Sequence, residues 1–447
     1  MPRTRRLIAV ALTFVMAAAI APFPTRAQDW KSIETEALET LRRYVRINTA
    51  VPPGDVSKAA DFLQSILERE GIPVTRYESG PGRSIIVARL KGTGPAKPLM
   101  LLHHMDVVPA DASRWNRDPF AADIVDGKLY GRGAFDMKGP GVAQLYAFIA
   151  LKRRSLPLKR DVILMAVPDE EVGGGLGAAW MRQNHLKDIE SEYILDEGGF
   201  GSRDLFTKDK LVFGISVAEK KILWLKLIAE GVAGHGSQPH DRNPNDRLTK
   251  ALARLLSEPV TATKFEVLET FRSRVGPLAV NKFNNAIQNS TISITSLRSG
   301  VGDPPKVNVI PSIAEATIDC RVLPGTPKDA WLKEIARRLG DPEIKIEVVY
   351  EGPDPVVTTQ DSDFYRALEL AVRARHPEAV VTPMVVPYGT DSNGFRPLGV
   401  KSYGFTPVIV PAESVASMHG DAEFIPVDAL GPAIQILFDA LVATTTR

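Results

Sequence analysis

The stretch PLMLLHHMDVV, residues 98–108, is a run of apolar residues that two histidines and an aspartate interrupt. Leu, Met and Val in such a run are typical of a buried strand. Imidazole and carboxylate groups are costly to bury unless other groups pair with them. His104 and Asp106 therefore need partners at the end of this strand, and the rest of the chain must supply them.

Similar apolar runs recur through the first half of the chain and alternate with segments of helical length. The strand-like runs are SIIVARL, residues 84–90, DVILMAVPDE, residues 161–170, and SEYILDEGG, residues 191–199. Of the segments of helical length, KAADFLQSILEREG, residues 58–71, precedes these runs, and GPGVAQLYAFIALKRR, residues 139–154, lies among them. Buried strands that alternate with helices predict an α/β fold, with a mixed but mostly parallel sheet covered by helices on both faces.

The rhythm of the sequence changes after residue 212. The following segments read in the order βαββαβ, which is typical of a compact α+β unit with its own sheet. The alternating α/β pattern returns after EGPDPVV, residues 351–357. We therefore predict that residues 28–212 and 353–447 form one domain and that residues 213–352 form a smaller inserted domain.

The first 27 residues have the pattern of an export signal. A basic start precedes an apolar run from Leu7 to Ala21, and Ala27 is a suitable cleavage residue. The run is shorter than the roughly 20 residues that a membrane-spanning helix needs. We expect a signal peptide at residues 1–27 and a periplasmic or secreted protein without a stable membrane span; an uncleaved anchor is the alternative.

Charge and cysteine content exclude several classes of protein. The chain has 55 Lys and Arg against 53 Asp and Glu, a formal charge of +2. Loss of residues 1–27 would remove four arginines and no acid, so the remaining chain is near neutral. Such a balance gives no electrostatic reason to expect a nucleic acid or an anionic membrane as partner. A single cysteine, Cys320, rules out an internal disulfide and a thiolate metal site.

Acids and imidazoles cluster where the predicted strands end. In sheets of this class, ligands bind beyond the carboxyl ends of the strands. The candidate groups at these ends are His104, Asp106, Asp136, the run Asp169-Glu170-Glu171, the pair Asp196-Glu197, and, from the C-terminal segment, His419. Converging carboxylates repel one another and raise one another's pKa unless cations lie between them. Oxygen and imidazole donors without sulfur suit a pair of divalent ions, with zinc as the first expectation.

Six short motifs occur along the chain in a recognisable order. They are HHMDVVP (103–109), GRGAFDMKG (131–139), PDEEVGG (168–174), LDEGG (195–199), GHGSQP (234–239) and MHGDAE (418–423). Together they resemble the aminoacylase, glutamate carboxypeptidase and succinyl-diaminopimelate desuccinylase family of dinuclear zinc metallopeptidases, closest to its aminoacylase-like and yeast-carboxypeptidase-like branch. The resemblance covers nearly the whole chain after residue 27. It implies that the insertion is a lid and dimerisation domain and that the larger domain is catalytic.

The resemblance implies two zinc ions per subunit, with Co²⁺ or Mn²⁺ as possible substitutes. It implies the following metal ligands: His104, Asp136 as the bridge, Glu171, His419, and either Glu197 or Asp196, of which Glu197 is preferred. It makes Glu170 the general base, which takes a proton from the metal-bridging water and returns it to the leaving amine. Asp106 would orient the ring of His104. A cis peptide bond between Asp136 and Met137 is also implied.

Further residues would complete the site. His235 matches a family histidine that stabilises the oxyanion from the partner subunit of a homodimer, and a surface histidine is the alternative. Arg321 matches an arginine that binds the substrate carboxylate, and a structural salt bridge is the alternative. Asn308, Gly389 and Thr390 match substrate-side loops.

These expectations converge on a zinc-dependent hydrolase that cleaves an amide bond beside a free carboxylate. The substrate would be a small peptide or an N-acyl amino acid, and the motifs do not separate a carboxypeptidase, a dipeptidase and an N-acyl-amino-acid hydrolase. A catalytically inactive binding protein on the same fold is the alternative from another class. A metal-dependent phosphoesterase on a related sheet edge is a further alternative, which the ordered motifs disfavour.

Overall fold

The computed structural model describes residues 29–260 and 264–446, and the predicted signal peptide, residues 1–27, lies outside them. The α-helices of this part are α1 (Trp30–Val45), α2 (Ser57–Arg69), α3 (Lys138–Arg153), α4 (Ala178–Asn184), α5 (Pro244–Ser257), α6 (Glu266–Val275), α7 (Lys282–Gln288), α8 (Lys328–Leu339), α9 (Asp363–Arg375), α10 (Ala412–Ser417) and α11 (Leu430–Thr445). The strands are β1 (Val74–Glu78), β2 (Ser84–Leu90), β3 (Ala96–His104), β4 (Asp123–Val125), β5 (Lys128–Tyr130), β6 (Arg160–Val167), β7 (Tyr193–Ser202), β8 (Val212–Glu219), β9 (Lys221–Glu230), β10 (Gly234–His235), β11 (Thr291–Ser299), β12 (Val309–Ile310), β13 (Ile313–Val322), β14 (Lys345–Glu351), β15 (Val380–Val386), β16 (Lys401–Ile409) and β17 (Phe424–Pro426).

An eight-stranded sheet in the order β1-β2-β6-β3-β7-β16-β8-β15 forms the larger unit. Four pairs of neighbours are parallel: β6 with β3, β3 with β7, β7 with β16, and β8 with β15. Three pairs are antiparallel: β1 with β2, β2 with β6, and β16 with β8. This confirms the predicted α/β fold with a mixed, mostly parallel sheet.

Both faces of this sheet are buried. Successive side chains of a strand point to opposite sides, so one strand contributes to the core on each face. On β2, Ile86 and Ala88 join the core beneath α1, α2, α3, α9 and α11, whereas Ile85 and Val87 join a second core beneath α4. Helix α3 is buried over its whole first part, residues 138–151, as expected of a helix that is apolar all round. It begins directly after Asp136 and so fixes that residue at the edge of the sheet.

A second sheet, in the order β11-β13-β9-β14, is antiparallel throughout and belongs to the insertion. Alternate residues of β9, Leu223, Leu225 and Leu227, pack against one face of helices α5 and α8. Helix α5 begins after Asn243, whose side-chain oxygen accepts the N–H of Asn245 at 3.0 Å. The order β9-α5-β11-β13-α8-β14 matches the predicted βαββαβ pattern.

The structure corrects the extent of the insertion in two places. Strand β8 belongs to the larger sheet, where it pairs with β15, so the boundary predicted at residue 213 cuts through a core strand. Helices α6 and α7 interrupt the predicted pattern, and Val267, Phe271 and Ile287 from them pack into the core of the larger unit. The second sheet itself is therefore built from residues 221–257 and 291–351.

The C-terminal segment closes the larger unit. Strand β17 pairs with β5, next to the turn that precedes α3, and α11 packs against α3 and α9. The stretch Val427–Thr445 is long and apolar enough to cross a membrane by composition, but most of it is buried in this core. The core accounts for its apolar character.

Candidate metal centre

His104 is the last residue of β3, between β6 and β7, and its side chain is 1% exposed. Its Nδ1 lies 2.9 Å from the backbone oxygen of Asp106. Its Nε2 faces two carboxylates, Asp136 Oδ1 at 3.2 Å and Glu197 Oε1 at 3.7 Å. Both nitrogens of this buried ring therefore meet oxygen atoms at the carboxyl-end edge of the sheet.

Asp136 lies between the two histidines of the cluster. Its Oδ1 faces His104, and its Oδ2 lies 3.0 Å from His419 Nε2. The peptide bond between Asp136 and Met137 is cis, which confirms the expectation from the motif. One carboxylate thus connects a strand end in the first half of the chain with the C-terminal segment.

Glu171 completes the group around His419. It lies in a single 3-10 turn, Glu170–Val172, that follows β6. Its Oε2 is 3.3 Å from His419 Nε2, while its buried Oε1 has no hydrogen-bond partner among the described residues. His419 is half exposed, so this side of the cluster is the more open one.

Two groups of donor atoms therefore share Asp136. His104 and Glu197 lie on one side, and His419 and Glu171 lie on the other. Glu170 lies beside the first side, since donor atoms of His104, Glu170 and Glu197 are all within 4.8 Å of one another.

The contacts distinguish Asp196 from Glu197, which the sequence left open. Asp196 is buried and accepts the backbone N–H groups of Ser392 and Glu197, each at 2.8 Å. Its carboxylate therefore holds backbone, while that of Glu197 faces His104. The geometry favours Glu197 as the donor.

Asp106 contacts His104 differently from the expectation. Its backbone oxygen holds the ring, while its carboxylate is 3.7 Å from Nδ1. The carboxylate instead accepts the backbone N–H groups of Glu170 and Glu171 at 3.3 and 3.2 Å. Asp106 thus orients the histidine through its main chain and the turn after β6 through its side chain.

The electrostatics of the cluster reflect a surplus of negative charge. Burial raises the pKa of Glu170, Glu197 and Glu171 above their usual values, and neighbouring carboxylates raise it further. Burial lowers the pKa of His104, but Asp136 and the nearby glutamates outweigh it and leave that pKa well above its usual value. Hydrogen bonds with Asp136 and Glu171 raise the pKa of His419 to about 10. The cluster therefore attracts positive charge.

The donor set fits divalent cations. It consists of imidazole nitrogens and carboxylate oxygens, which suit zinc and related ions. Among the described residues, no Lys or Arg pairs with Asp136, Glu170, Glu171 or Glu197. The unpartnered, buried Oε1 of Glu171 is a further free donor. These residues could hold two ions with Asp136 between them.

The comparisons with known proteins agree with this geometry. The model of the peptidase family M20/M25/M40 matches residues 100–443. The chain belongs to this family. As a member it is a metallohydrolase of amide bonds, and nothing in the comparisons favours the inactive binding protein or the phosphoesterase.

Relatives cover most of the chain. Mouse aminoacylase-1 is 29% identical over 382 residues, 84% of this chain and 88% of its own length. Mouse N-fatty-acyl-amino acid synthase/hydrolase PM20D1 is 28% identical over 442 residues, 90% of this chain and 86% of its own. The M20 family metallo-carboxypeptidase Sso-CP2 from Sulfolobus solfataricus has the same fold, with a TM-score of 0.68 at 21% identity, and the match covers 91% of this chain and 98% of that one.

The candidate residues of the insertion have their recorded contacts within their own unit. His235 is exposed in a two-stranded ribbon of β10 and β12, and its Nδ1 is 2.8 Å from the hydroxyl of Ser237. The backbone oxygen of Asn308 accepts the N–H of Gly236 at 2.7 Å, so the ribbon brings His235 and Asn308 together. Within the described residues, the contacts of His235 do not include a member of the cluster.

Arg321 is paired within its own strand. Its Nε and Nη2 donate to Asp319 at 2.9 and 3.1 Å, and its side chain is 26% exposed. This is the salt bridge that the sequence analysis gave as the alternative to substrate binding. The pairing orients the guanidinium and leaves part of its surface open.

Gly389 and Thr390 lie in a loop that reaches both units. The backbone N–H and the hydroxyl of Thr390 donate to Glu219 at 2.8 and 2.7 Å, at the end of β8. Gly389 lies against Ile222 of the insertion, where an added Cβ would be 3.3 Å from its side chain. Ser392, further along this loop, donates to Asp196 beside the cluster.

The motifs did not point to four residues around the cluster. The Tyr388 hydroxyl donates to Gly198 O at 2.8 Å, and its ring lines a narrow cleft with Phe135, Phe200 and Met418. Asp391 adds negative charge near Glu170. Arg132 and Glu423 form a buried ion pair behind Asp136. The sequence signal for Arg132 and Glu423 was their position inside the motifs GRGAFDMKG and MHGDAE.

Proposed function

We propose that this M20 metallohydrolase cleaves the amide bond of an N-acyl amino acid beside its free carboxylate. The observation that carries the proposal is Asp136, which lies between two groups of metal-binding donors, with Glu170 directly beside one of them. Two relatives with high coverage are named for acylated amino acids, aminoacylase-1 and an N-fatty-acyl-amino acid synthase/hydrolase.

We propose zinc as the native metal, bound as a pair, with Co²⁺ or Mn²⁺ as substitutes. His104 and Glu197 would hold one ion, Glu171 and His419 the other, and Asp136 both. Bound ions of this kind polarise the scissile carbonyl and lower the pKa of water, so that a nucleophile is available near neutral pH. The preference for zinc rests on donors that lack sulfur and include two imidazoles.

Glu170 is the proposed general base. It makes no ion pair among the described residues, and burial raises its pKa, so the carboxylate accepts a proton more readily than an exposed glutamate does. It would take a proton from the attacking water and pass it to the leaving nitrogen. Asp106 supports this role, because its carboxylate holds the backbone N–H of Glu170 and thereby the turn that carries the base.

The insertion would supply the remaining groups. We propose that His235 stabilises the oxyanion of the tetrahedral intermediate and that Arg321 binds the substrate carboxylate through its guanidinium. Asn308 lies in the same ribbon as His235, and Thr390 lies in the loop that joins the two units. Because His235 is exposed and has no contact with the cluster among the described residues, we propose that it acts in the partner subunit of a homodimer. The N-terminal pattern supports export to the periplasm or the medium.

A substrate screen tests the proposed function. Purified protein, with and without added zinc, is assayed against N-acetyl and N-long-chain-acyl amino acids, dipeptides, and N-acyl amino acid amides that lack a carboxylate. We expect hydrolysis of N-acyl amino acids, little turnover of the amides, and none by a Glu170→Gln variant. Higher kcat/KM for dipeptides would identify a dipeptidase instead. Equal rates on acids and amides would contradict recognition of the carboxylate.

A further inference from the structure

Glu423 follows His419 by four residues, and its side chain is fully buried. Its Oε1 accepts the backbone N–H groups of Phe135 and Asp136 at 2.9 and 3.0 Å. Its Oε2 accepts the backbone N–H of Gly133 at 3.1 Å. One carboxylate from the C-terminal segment therefore binds three main-chain groups of the turn that carries Asp136.

Arg132 connects this carboxylate with the segment that carries His419. Its Nη1 lies 2.7 Å from Glu423 Oε2, in a pair whose side chains are 2% and 0% exposed. Its Nη2 donates to the backbone oxygen of Gly420 at 2.8 Å. Gly420 is the next residue after His419, so the guanidinium holds the main chain directly beside that imidazole.

Part of the turn before α3 depends on the Glu423 carboxylate, while the N–H groups of Arg132, Ala134 and Lys138 have other main-chain acceptors. Gly133 has φ +82°, a conformation that favours glycine. Glycine has no side chain that could anchor the backbone at this position. The N–H groups of Gly133, Phe135 and Asp136 have Glu423 as their only acceptor among the described residues. Buried N–H groups without an acceptor are unfavourable, so loss of the carboxylate should let the turn rearrange.

We infer that Glu423 is a positioning residue that holds Asp136 and His419 in one geometry, so that both metal positions depend on a side chain that is itself no ligand. This inference rests on the metal centre proposed above. It extends that proposal, since it assigns a role to a buried ion pair that joins two ligands 283 positions apart in the chain. Hydrogen bonds to the groups around a metal commonly change its affinity by roughly 10–100-fold.

The two members of the pair should act differently. Glu423→Gln keeps the size of the side chain but removes its charge and puts an amide NH₂ where acceptors are needed, so the turn of Asp136 loses support. Since Asp136 faces both donor groups, both metal positions should weaken. Arg132→Lys keeps a positive charge beside Glu423 and leaves its three main-chain bonds, but loses the fork that reaches Gly420. It should therefore weaken mainly the position of His419.

The experiment measures metal binding directly. Chelator-treated protein is titrated with Zn²⁺ by calorimetry and with Co²⁺ by its visible absorption, and thermal midpoints are recorded. We expect two ions for the wild type. For Glu423→Gln we expect both affinities to fall by roughly 10–100-fold with an altered Co²⁺ spectrum. For Arg132→Lys we expect such a fall at one position only.

Asp161→Asn is the matched control. Asp161 accepts the backbone N–H of Gly92 at 2.8 Å and pairs with Arg89 at 2.8 Å, the same kind of arrangement at the opposite end of β6. It should lower the thermal midpoint without changing metal affinity. Wild-type affinities and spectrum in Glu423→Gln would overturn the inference, even with a lower midpoint. If that variant does not fold, wild-type affinities at both positions in Arg132→Lys overturn it. A wild type that binds no metal would instead contradict the proposed centre.

Discussion

Two of the histidines that the motifs single out, His104 and His235, lie in opposite surroundings. His104 ends a central strand, is 1% exposed, and has an oxygen atom beside each ring nitrogen. His235 lies in a two-residue strand of a ribbon, is exposed, and contacts a serine two residues away. The first is held by the rest of its own unit. The second is free to meet a surface beyond its ribbon.

This contrast divides the proposed site into two parts with different dependence on assembly. The metal-binding part is complete within the larger unit, because β3, the turn before α3, the turn after β6, β7 and the C-terminal segment all reach the same edge. On the proposal made above, the part from the insertion needs the approach of another surface. Variants of the first part should alter metal content or chemistry in each subunit alone, and variants of the second should alter turnover without altering metal content.

Removal of the metal should have the largest effect. Chelation is expected to abolish activity, because the proposed metal ions would polarise the scissile carbonyl and activate the attacking water. The thermal midpoint should also fall, since ligands that bind only the folded state stabilise it. Activity and midpoint should return with added zinc. Full turnover by protein that elemental analysis shows to be metal-free would contradict the proposal.

Replacement of the base comes next. Glu170→Gln should lower kcat by roughly 10²–10⁴, the usual range for loss of acid–base catalysis, while metal content stays unchanged. Glu68→Gln, at an exposed position of α2, is the control and should have no effect. Near-normal kcat in Glu170→Gln would mean that another residue is the general base. Loss of metal from this variant would mean that Glu170 is a metal ligand.

His235 tests the other side of the comparison. His235→Ala should lower kcat by roughly 10²–10³, as for loss of one oxyanion donor, with metal content and thermal midpoint unchanged. Gln238→Ala, in the same exposed turn, is the control.

Mixed subunits decide where His235 acts. If it acts in the partner subunit, dimers of Glu170→Gln and His235→Ala chains regain one intact site and part of the activity. Verified heterodimers without recovery would mean that His235 acts within its own chain or has no catalytic role.

Arg321 should give the smallest effect. Arg321→Met is expected to raise KM by roughly 10–100-fold with little change in kcat, because hydrogen bonds between charged groups contribute about 1.5–3 kcal/mol. Arg298→Met, on the neighbouring exposed strand β11, is the control. The Arg321→Met substitution should not change the KM for substrates without a carboxylate. A lower thermal midpoint with unchanged KM would mean that Arg321 only stabilises the fold, through its salt bridge to Asp319.

The sequence predicted the fold class and the groups that lie together at the sheet edge because their signals are local. His104, Asp136 and Glu171 each follow an apolar run or lie in a glycine-rich turn, and the sheet rule places such positions at one edge. The choice between Asp196 and Glu197 needed coordinates, since it depends on the distant backbone N–H of Ser392.

The misplaced features have non-local causes. Strand β8 is an apolar run like its neighbours, and its pairing with β15, β16 and β7 assigns it to the larger sheet. Helices α6 and α7 carry an apolar face, but a sequence does not show which unit that face will cover. Glu423 resembles any acid after a histidine motif until Phe135 and Asp136 are seen to donate to it.

The position of β16 has a consequence for how the protein is made. This strand lies between β7 and β8, which precede it by about two hundred residues in sequence. β7 and β8 pair directly only where β7 ends and β8 begins. A growing chain therefore exposes an apolar edge of β7 and of β8 until residues 401–409 have emerged. Such late, non-local pairing folds slowly and is prone to aggregation. His419 follows β16 in the chain, so the proposed metal centre cannot be complete before β16 has been made.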